Sequence, residues 1–228
     1  MDRYSKEISP LFQGLIKFNR YKTIVEIGVF RGYSTRYLCE AAQVTGGIVY
    51  GFDFWGVEKF TKQKGYSQEA VSSYLKKCKI KNFKLIQIDT KMEAFKQIIK
   101  EKCPVIDFAF IDGWHSYEGI KNDFDVVYPL LAETGMIAFH DTLKVDGCRE
   151  FIMDLRTIYY DGAFDIIDLP WGNGERRVGV SILMKRTYPV IDHEIDEICG
   201  SLSTPDEIYL KEKDWYKREC GYKEKLWI

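Results

Sequence analysis

The sequence has no apolar run near the roughly 20 residues that a membrane helix needs. Its opening, MDRYSKEISP, carries charges of both signs and no apolar signal core, so a cytosolic protein is expected. Neither sign of charge is in excess. Lys plus Arg total 33 against 34 Asp plus Glu, which argues against a general attraction to nucleic acid or to an anionic membrane. The six cysteines, Cys39, Cys78, Cys103, Cys148, Cys199 and Cys220, are scattered and form no Cys-x-x-Cys pair. That excludes the usual zinc spacing and leaves reduced, mostly structural thiols as the expectation. No repeat, low-complexity tract or Pro/Gly/Ser linker divides the chain. Histidine is scarce, with three residues in all.

What is present suits one large α/β domain. The chain has 228 residues, 46% of them hydrophobic, enough for a sizeable core. A leading amphipathic helix is expected over 4–19, with Ile8, Leu11, Phe12, Leu15 and Ile16 on one side. Strand-like and helix-like stretches then alternate. TIVEIGV, IVYGFDF, FKLIQID, VIDFAFID and GMIAFHD read as five strands separated by helical segments. Ile120, Phe124, Val127 and Leu131 recur on one helical face. This alternation predicts a doubly wound, mostly parallel sheet with helices on both faces. FDIIDLP and VGVSILMK are separated only by WGNGERR, too short for a helical crossover. One of these two strands must run antiparallel, closing a seven-stranded sheet with a C-terminal hairpin. The core is expected over about 22–186, with a helical tail at 188–228 in the same domain.

Chemistry-bearing residues collect at the strand ends, and Asp112, His115, His140 and Asp141, beyond the fourth and fifth strands, are expected to approach one another. VEIGVFRGYST brings Glu26, Gly28, Gly32, Ser34 and Thr35 to the first strand–helix turn. Glycines there permit close backbone approach, and the helix N-terminus offers free N–H groups to an anion. They also suit a tight turn with no ligand at all. The second strand ends in Asp53, a position where a carboxylate commonly accepts from ribose hydroxyls, and the third ends in Asp89, a natural partner for an adenine edge. Phe54 follows Asp53 and is expected at the same pocket, as is Asp112 at the end of the fourth strand. A dinucleotide fold wants Gly-x-Gly-x-x-Gly; this chain has Gly28-x-x-x-Gly32 with an acid two residues earlier.

The Glu-x-Gly-x-x-x-Gly pattern, with Asp53 and the terminal hairpin, resembles a class I S-adenosylmethionine-dependent methyltransferase. FIDGWHSYEGIKNDFDVVYPLLAETGMIAFHDT resembles the matching segment of one branch, which includes sugar and macrolide O-methyltransferases and the cephalosporin hydroxylase-like group. VEIGVFRGYST, GFDFW and LPWGNGERRVGVSI fit the same branch, over roughly 24–185. Thr134-Gly135 departs from the usual pair of glycines.

The resemblance implies a Rossmann-like methyltransferase fold, S-adenosylmethionine as cofactor and methyl transfer to a hydroxyl of a sugar, glycan or other small molecule. Some relatives bind a divalent metal through an acid after strand four and an acidic pair after strand five. Asp112 and Asp141 match two of those positions, and His140 stands where a carboxylate is expected. Histidine suits manganese, iron or zinc better than magnesium or calcium. Two catalytic roles follow as alternatives: His115 as general base, or a metal on Asp112, His140 and Asp141 that acidifies the acceptor hydroxyl. The competing classes are a nicotinamide-dependent oxidoreductase, which the glycine spacing disfavours, and a non-catalytic cofactor-binding module. Trp114 is expected to be part pocket wall and part core, Tyr117 and Glu118 belong to a helix start, and the aromatic, charged tail is a candidate homo-oligomer contact.

Overall fold

A computed structural model describes residues 3–55, 67–170 and 178–186, with side chains from residue 9 onward. The segment after Trp55, the WGNGERR connection and the tail expected at 188–228 lie outside the described residues. The elements run α1 (Arg3–Asn19), β1 (Thr23–Ile27), α2 (Tyr33–Thr45), β2 (Ile48–Asp53), α3 (Gln68–Lys77), β3 (Phe83–Gln87), α4 (Glu93–Lys102) and β4 (Ile106–Ile111). They continue with α5 (Tyr117–Val127), β5 (Leu131–His140), α6 (Asp146–Thr157), β6 (Phe164–Leu169) and β7 (Val180–Lys185). All of the elements expected within the described residues are found, several with shifted ends, and Leu131, expected on the helical face of Ile120, Phe124 and Val127, belongs to β5 instead. β3 stops at Gln87, so Asp89 sits in the loop beyond it, and β5 begins at Leu131 rather than Gly135.

The seven strands form one sheet in the order β3-β2-β1-β4-β5-β7-β6. β7 is the reversed strand, antiparallel to both β5 and β6. The other pairings are parallel, and β1 and β4 lie side by side at the centre. Chain order reverses between them, which opens a crevice at their carboxyl ends. β1 and β4 are nearly continuous apolar runs because both of their faces are covered. On one face Phe95, Ile99, Phe124, Phe151 and Leu155 of α4, α5 and α6 form a core. On the other, Phe12, Ile16, Leu38, Val71 and Leu75 of α1, α2 and α3 form a second.

Local chemistry sets the helix ends near the crevice. α2 follows Gly32 in the left-handed region and ends at Gly46, whose N–H reaches the carbonyls of Ala42 and Gln43. α5 starts at Ser116, whose hydroxyl accepts from the Gly119 N–H. The Tyr117 hydroxyl donates to Asp154 and ties α5 to α6. The four cysteines among the described residues are free thiols. Among those residues, no helix is long and apolar enough to cross a membrane.

Candidate active site

The first turn is shaped by contact between the loops after β1 and β4. Gly28 has φ +90°, and a Cβ on it would lie 2.1 Å from the Asp112 carbonyl oxygen. Its N–H donates to the Phe52 carbonyl at 2.9 Å, while the Asp112 N–H donates to the Ile27 carbonyl at 2.8 Å. Only glycine permits this approach.

A cavity of about 510 Å³ opens at this point, of a size suited to a small-molecule ligand. Of the residues expected to bind a cofactor, Gly28, Asp53, Phe54, Asp89 and Asp112 line it, as do His115, His140 and Asp141. Phe30, Thr90, Lys91 and Trp114 line it as well. Trp114, expected to be part wall and part core, lines the wall but is 49% exposed and so is not a core residue; the Lys91 Nζ stands 4.1 Å from its ring centroid.

Glu26, Gly32, Ser34 and Thr35, expected in the same cradle, lie behind the residues that line the cavity. Glu26 is fully buried. It lies inside the β1 ladder rather than beyond its end, beneath the first turn of α2. The Thr35 hydroxyl donates to its Oε2, Ser34 bonds to the same carboxyl, and Oε1 has no partner. These residues support the loop that the ligand would touch.

Burial pushes the Glu26 carboxyl up to about 8, against the pull of the Ser34 and Thr35 hydroxyls. Burial also pushes Asp123 of α5 up to about 7. Both folded values lie above the unfolded ones, so the folded chain binds more protons in between, and stability must fall as pH rises through that window. Urea denaturation is expected to show lower stability at pH 8.5 than at pH 5.5. Glu26→Gln, whose amide oxygen can still accept from Thr35, should shrink the difference by about 3 kcal/mol. An undiminished difference in that variant would refute the assignment.

Asp53 does more than wait for a ligand. Its Oδ2 accepts from the Phe30 N–H at 2.7 Å and its Oδ1 from the Trp55 N–H at 2.6 Å. Phe30 and Trp55 both have positive φ, so the carboxylate holds two strained turns together. Each oxygen keeps a lone pair for a further donor.

At the other end of the cavity, two carboxylates and two imidazoles converge. Ile111 pairs with Phe139, so Asp112 and His140 are the next residues in register on adjacent strands. Asp141 follows with φ +60°. The His115 Nε2 lies 3.3 Å from Asp112 Oδ1 and 3.4 Å from Asp141 Oδ2. The His140 Nδ1 lies 3.2 Å from each of those two oxygens. Neither His140 contact is aligned as a hydrogen bond, so this buried nitrogen is left without a proper partner. The Phe110 ring meets the His140 ring edge-on and limits its rotation. The His115 backbone is set against the start of α6, where a Cβ on Gly147 would lie 2.8 Å from its carbonyl oxygen.

The charges of this cluster are interdependent. The Asp112 carboxylate holds the His115 imidazole above its ordinary range, against the opposing effect of burial. Burial disfavours charging of His140, but Asp112 and Asp141 outweigh it and raise its affinity for a proton. Burial likewise opposes ionisation of Asp112, and the two imidazoles outweigh it. Two carboxylates this close need a cation between them. A proton on His140 can supply it, and so can a divalent ion. Ligand atoms of Asp112, His115 and Asp141 all lie within 4.8 Å of one another. The residues therefore fit a metal. The set contains His115, and the expected His140 is not a member of it.

A profile described as a methyltransferase domain matches residues 25–142 of the chain. No curated protein matches it. Several solved structures share the fold. The O-methyltransferase TomG from Streptomyces achromogenes, involved in tomaymycin synthesis and solved in complex with SAM, is 16% identical with a TM-score of 0.60. The alignment covers 78% of this chain and 79% of that one. An O-methyltransferase from Bacillus cereus, in complex with SAH, is 17% identical with a TM-score of 0.61, over 78% and 80% of the two chains. An rRNA methylase from Streptococcus thermophilus is 15% identical with a TM-score of 0.58, over 82% and 99%.

Proposed function

The chain belongs to the methyltransferase-domain family, and from that premise we propose that it transfers a methyl group from S-adenosylmethionine to a hydroxyl oxygen of a small molecule. The observation that carries the reading is one cavity with two chemically distinct ends. Asp53 and Asp89 offer acceptors to a nucleoside at one end, and Asp112, His115, His140 and Asp141 gather at the other. The family match leaves the nicotinamide alternative without support.

S-adenosylmethionine supplies an electrophilic sulfonium methyl group and a neutral thioether leaving group. The protein must bind donor and acceptor in line and take the acceptor's proton. Asp112 and Asp141 face the His115 Nε2 and favour the tautomer with its proton there. That leaves Nδ1 as the lone-pair nitrogen that accepts the hydroxyl proton as the oxygen attacks. His115 is 44% exposed, so its proton can pass to solvent afterwards. The acceptor is a sugar hydroxyl or another small alcohol or phenol. Structural neighbours include an O-methyltransferase involved in tomaymycin synthesis and an rRNA methylase, so the fold does not select the acceptor.

A second reading is favoured by the orphaned His140 Nδ1 beside two carboxylates. Here Asp112, His115, His140 and Asp141 hold a divalent ion that polarises the acceptor oxygen. A mixed nitrogen and oxygen donor set suits manganese, iron or zinc over magnesium. Such an ion would displace protons from the imidazoles.

Three measurements test the proposal. Calorimetry should show S-adenosylhomocysteine binding to the wild type. A methyl-transfer screen with labelled donor, against nucleotide sugars, free glycans and phenols, should find an acceptor. On that acceptor, His115→Ala should lower turnover by about 10²-fold or more with donor affinity held. Binding of a nicotinamide dinucleotide in place of S-adenosylhomocysteine would overturn the function. Activity that survives exhaustive chelation would remove the metal reading, and proton release on adding Mn²⁺ or Zn²⁺ would support it.

A further inference from the structure

Asn122 and Asp123 of α5 lie outside the cavity lining, yet between them they reach the two loops that form one of its walls. The Asn122 amide donates to the Thr90 carbonyl at 2.9 Å, in the loop after β3. Asp123 is fully buried, and the Thr90 hydroxyl and the Asn122 amide bond to its carboxyl. Its Oδ2 has no hydrogen-bond partner. That oxygen faces Gly113 in the loop after β4, where an added Cβ would lie 3.2 Å from it. Gly113 in turn lies against Gly28, since a Cβ on Gly28 would come within 2.8 Å of the Gly113 nitrogen. The order of contact is therefore α5, then the loop after β4, then the cradle at Gly28.

An apolar side chain at Asp123 would satisfy α5 better. Ile120, Phe124, Val126 and Val127 around it are all buried, and a buried carboxyl with an unpaired oxygen carries a desolvation cost. Polar groups held against the local rule mark places where shape matters more than stability. Here the two polar residues span the loop carrying Asp89, Thr90 and Lys91 and the loop carrying Asp112, Gly113 and Trp114. All six of those residues line the cavity.

We propose that Asn122 and Asp123 form a positioning bracket that fixes the separation of the loops after β3 and β4 and so sets the cavity's grip on the nucleoside half of the methyl donor. The bracket touches neither donor nor acceptor; it acts through Thr90 and Gly113. The identity of the ligand rests on the function proposed above, whereas the mechanical link between the loops does not.

The test combines calorimetry of S-adenosylhomocysteine binding with amide hydrogen exchange on Asn122→Ala, Asp123→Ala and Asp123→Asn. Both alanine variants should bind at least tenfold more weakly at a temperature where they are folded. Their amides at 89–91 and 112–115 should exchange faster, with or without ligand. Asp123→Asn, which keeps an acceptor and the side-chain shape, should bind within threefold of wild type. Wild-type affinity to within twofold in both alanine variants would overturn the bracket, as would an asparagine variant as weak as the alanine one. If Asp123→Ala does not fold, the partly exposed Asn122→Ala carries the same readouts. Should the wild type fail to bind S-adenosylhomocysteine, the donor assignment falls, and the bracket is decided by exchange: unchanged rates in Asn122→Ala overturn it.

Discussion

Replacing Gly28 with alanine is expected to abolish measurable S-adenosylhomocysteine binding, a loss of at least about 100-fold, while leaving a folded protein of reduced stability. The methyl group would lie 2.1 Å from the Asp112 carbonyl oxygen and 2.4 Å from its carbon. Both partners are backbone, so no side chain can swing away. Each strand end is also pinned by a ladder hydrogen bond, Gly28 to Phe52 and Asp112 to Ile27. The clash can be relieved only by prising β1 and β4 apart at the mouth of the cavity. Overpacking adds about 1–3 kcal/mol, and a non-glycine residue at positive φ about 1–2 more. A domain with about 5–15 kcal/mol of stability survives that sum. Its donor pocket does not, because Asp53, Phe30 and Asp112 are all referenced to this junction. Gly46→Ala is the control: φ is +73° there too, but nothing lies within 4 Å of the added Cβ. That variant should lose about 1 kcal/mol and bind normally. Binding by Gly28→Ala within threefold of wild type would refute the account of the cradle.

The contrast between Glu26 and Gly28 shows where sequence reading of this site stops. Both stand in one VEIGV stretch at a strand end, and both carry the signature of a cofactor loop. Glu26 is still inside the ladder, paired in register with Gly51 and Phe110, and α2 closes over it. Gly28 is beyond the ladder and faces the crevice. The signature marks the loop, but which member touches a ligand depends on where hydrogen bonding ends. The elements themselves were legible because each is set locally, by apolar period and by the short WGNGERR gap. Leu131 to Thr134 escaped the reading of β5 because the polar, partly exposed Ala-Glu-Thr stretch hides a strand start. The meeting of Asp112 with His140 was expected from the topology. The entry of His115 into the same cluster was expected as well, since it follows the same strand end; which of its atoms meet the carboxylates is decided by loop geometry. Asp123 left only a faint signal: it falls three residues after Ile120, on a face otherwise apolar, where a carboxylate is out of place.

Asp112→Asn is the substitution expected to cost the most activity. Asp112 Oδ1 stands near both imidazoles, 3.3 Å from His115 Nε2 and 3.2 Å from His140 Nδ1, and is the nearer of the two carboxylates to His115. The asparagine keeps the volume and removes the charge. Three effects then act together. His115 loses the carboxylate that orients it. Two raised imidazoles lose their principal counter-charge. A divalent ion, where one is used, loses a ligand. Loss of an oriented general base lowers turnover by about 10²–10⁴-fold, and turnover should fall by that much. Donor affinity should change by less than about tenfold, because the proposed nucleoside contacts are made by Asp53 and Asp89, on the other side of the cavity lining. The pH profile separates the two catalytic readings. If His115 is the base, it works only when neutral, and Asp112 keeps it protonated above the ordinary imidazole range. Removing that charge lowers the pKa of His115, so the acid limb of the residual activity should move to lower pH. If His115 is instead a metal ligand, residual activity should recover with added Mn²⁺ or Zn²⁺, because mass action refills a weakened site. Turnover within threefold of wild type would remove Asp112 from both mechanisms and leave positioning of donor and acceptor as the whole of the catalysis.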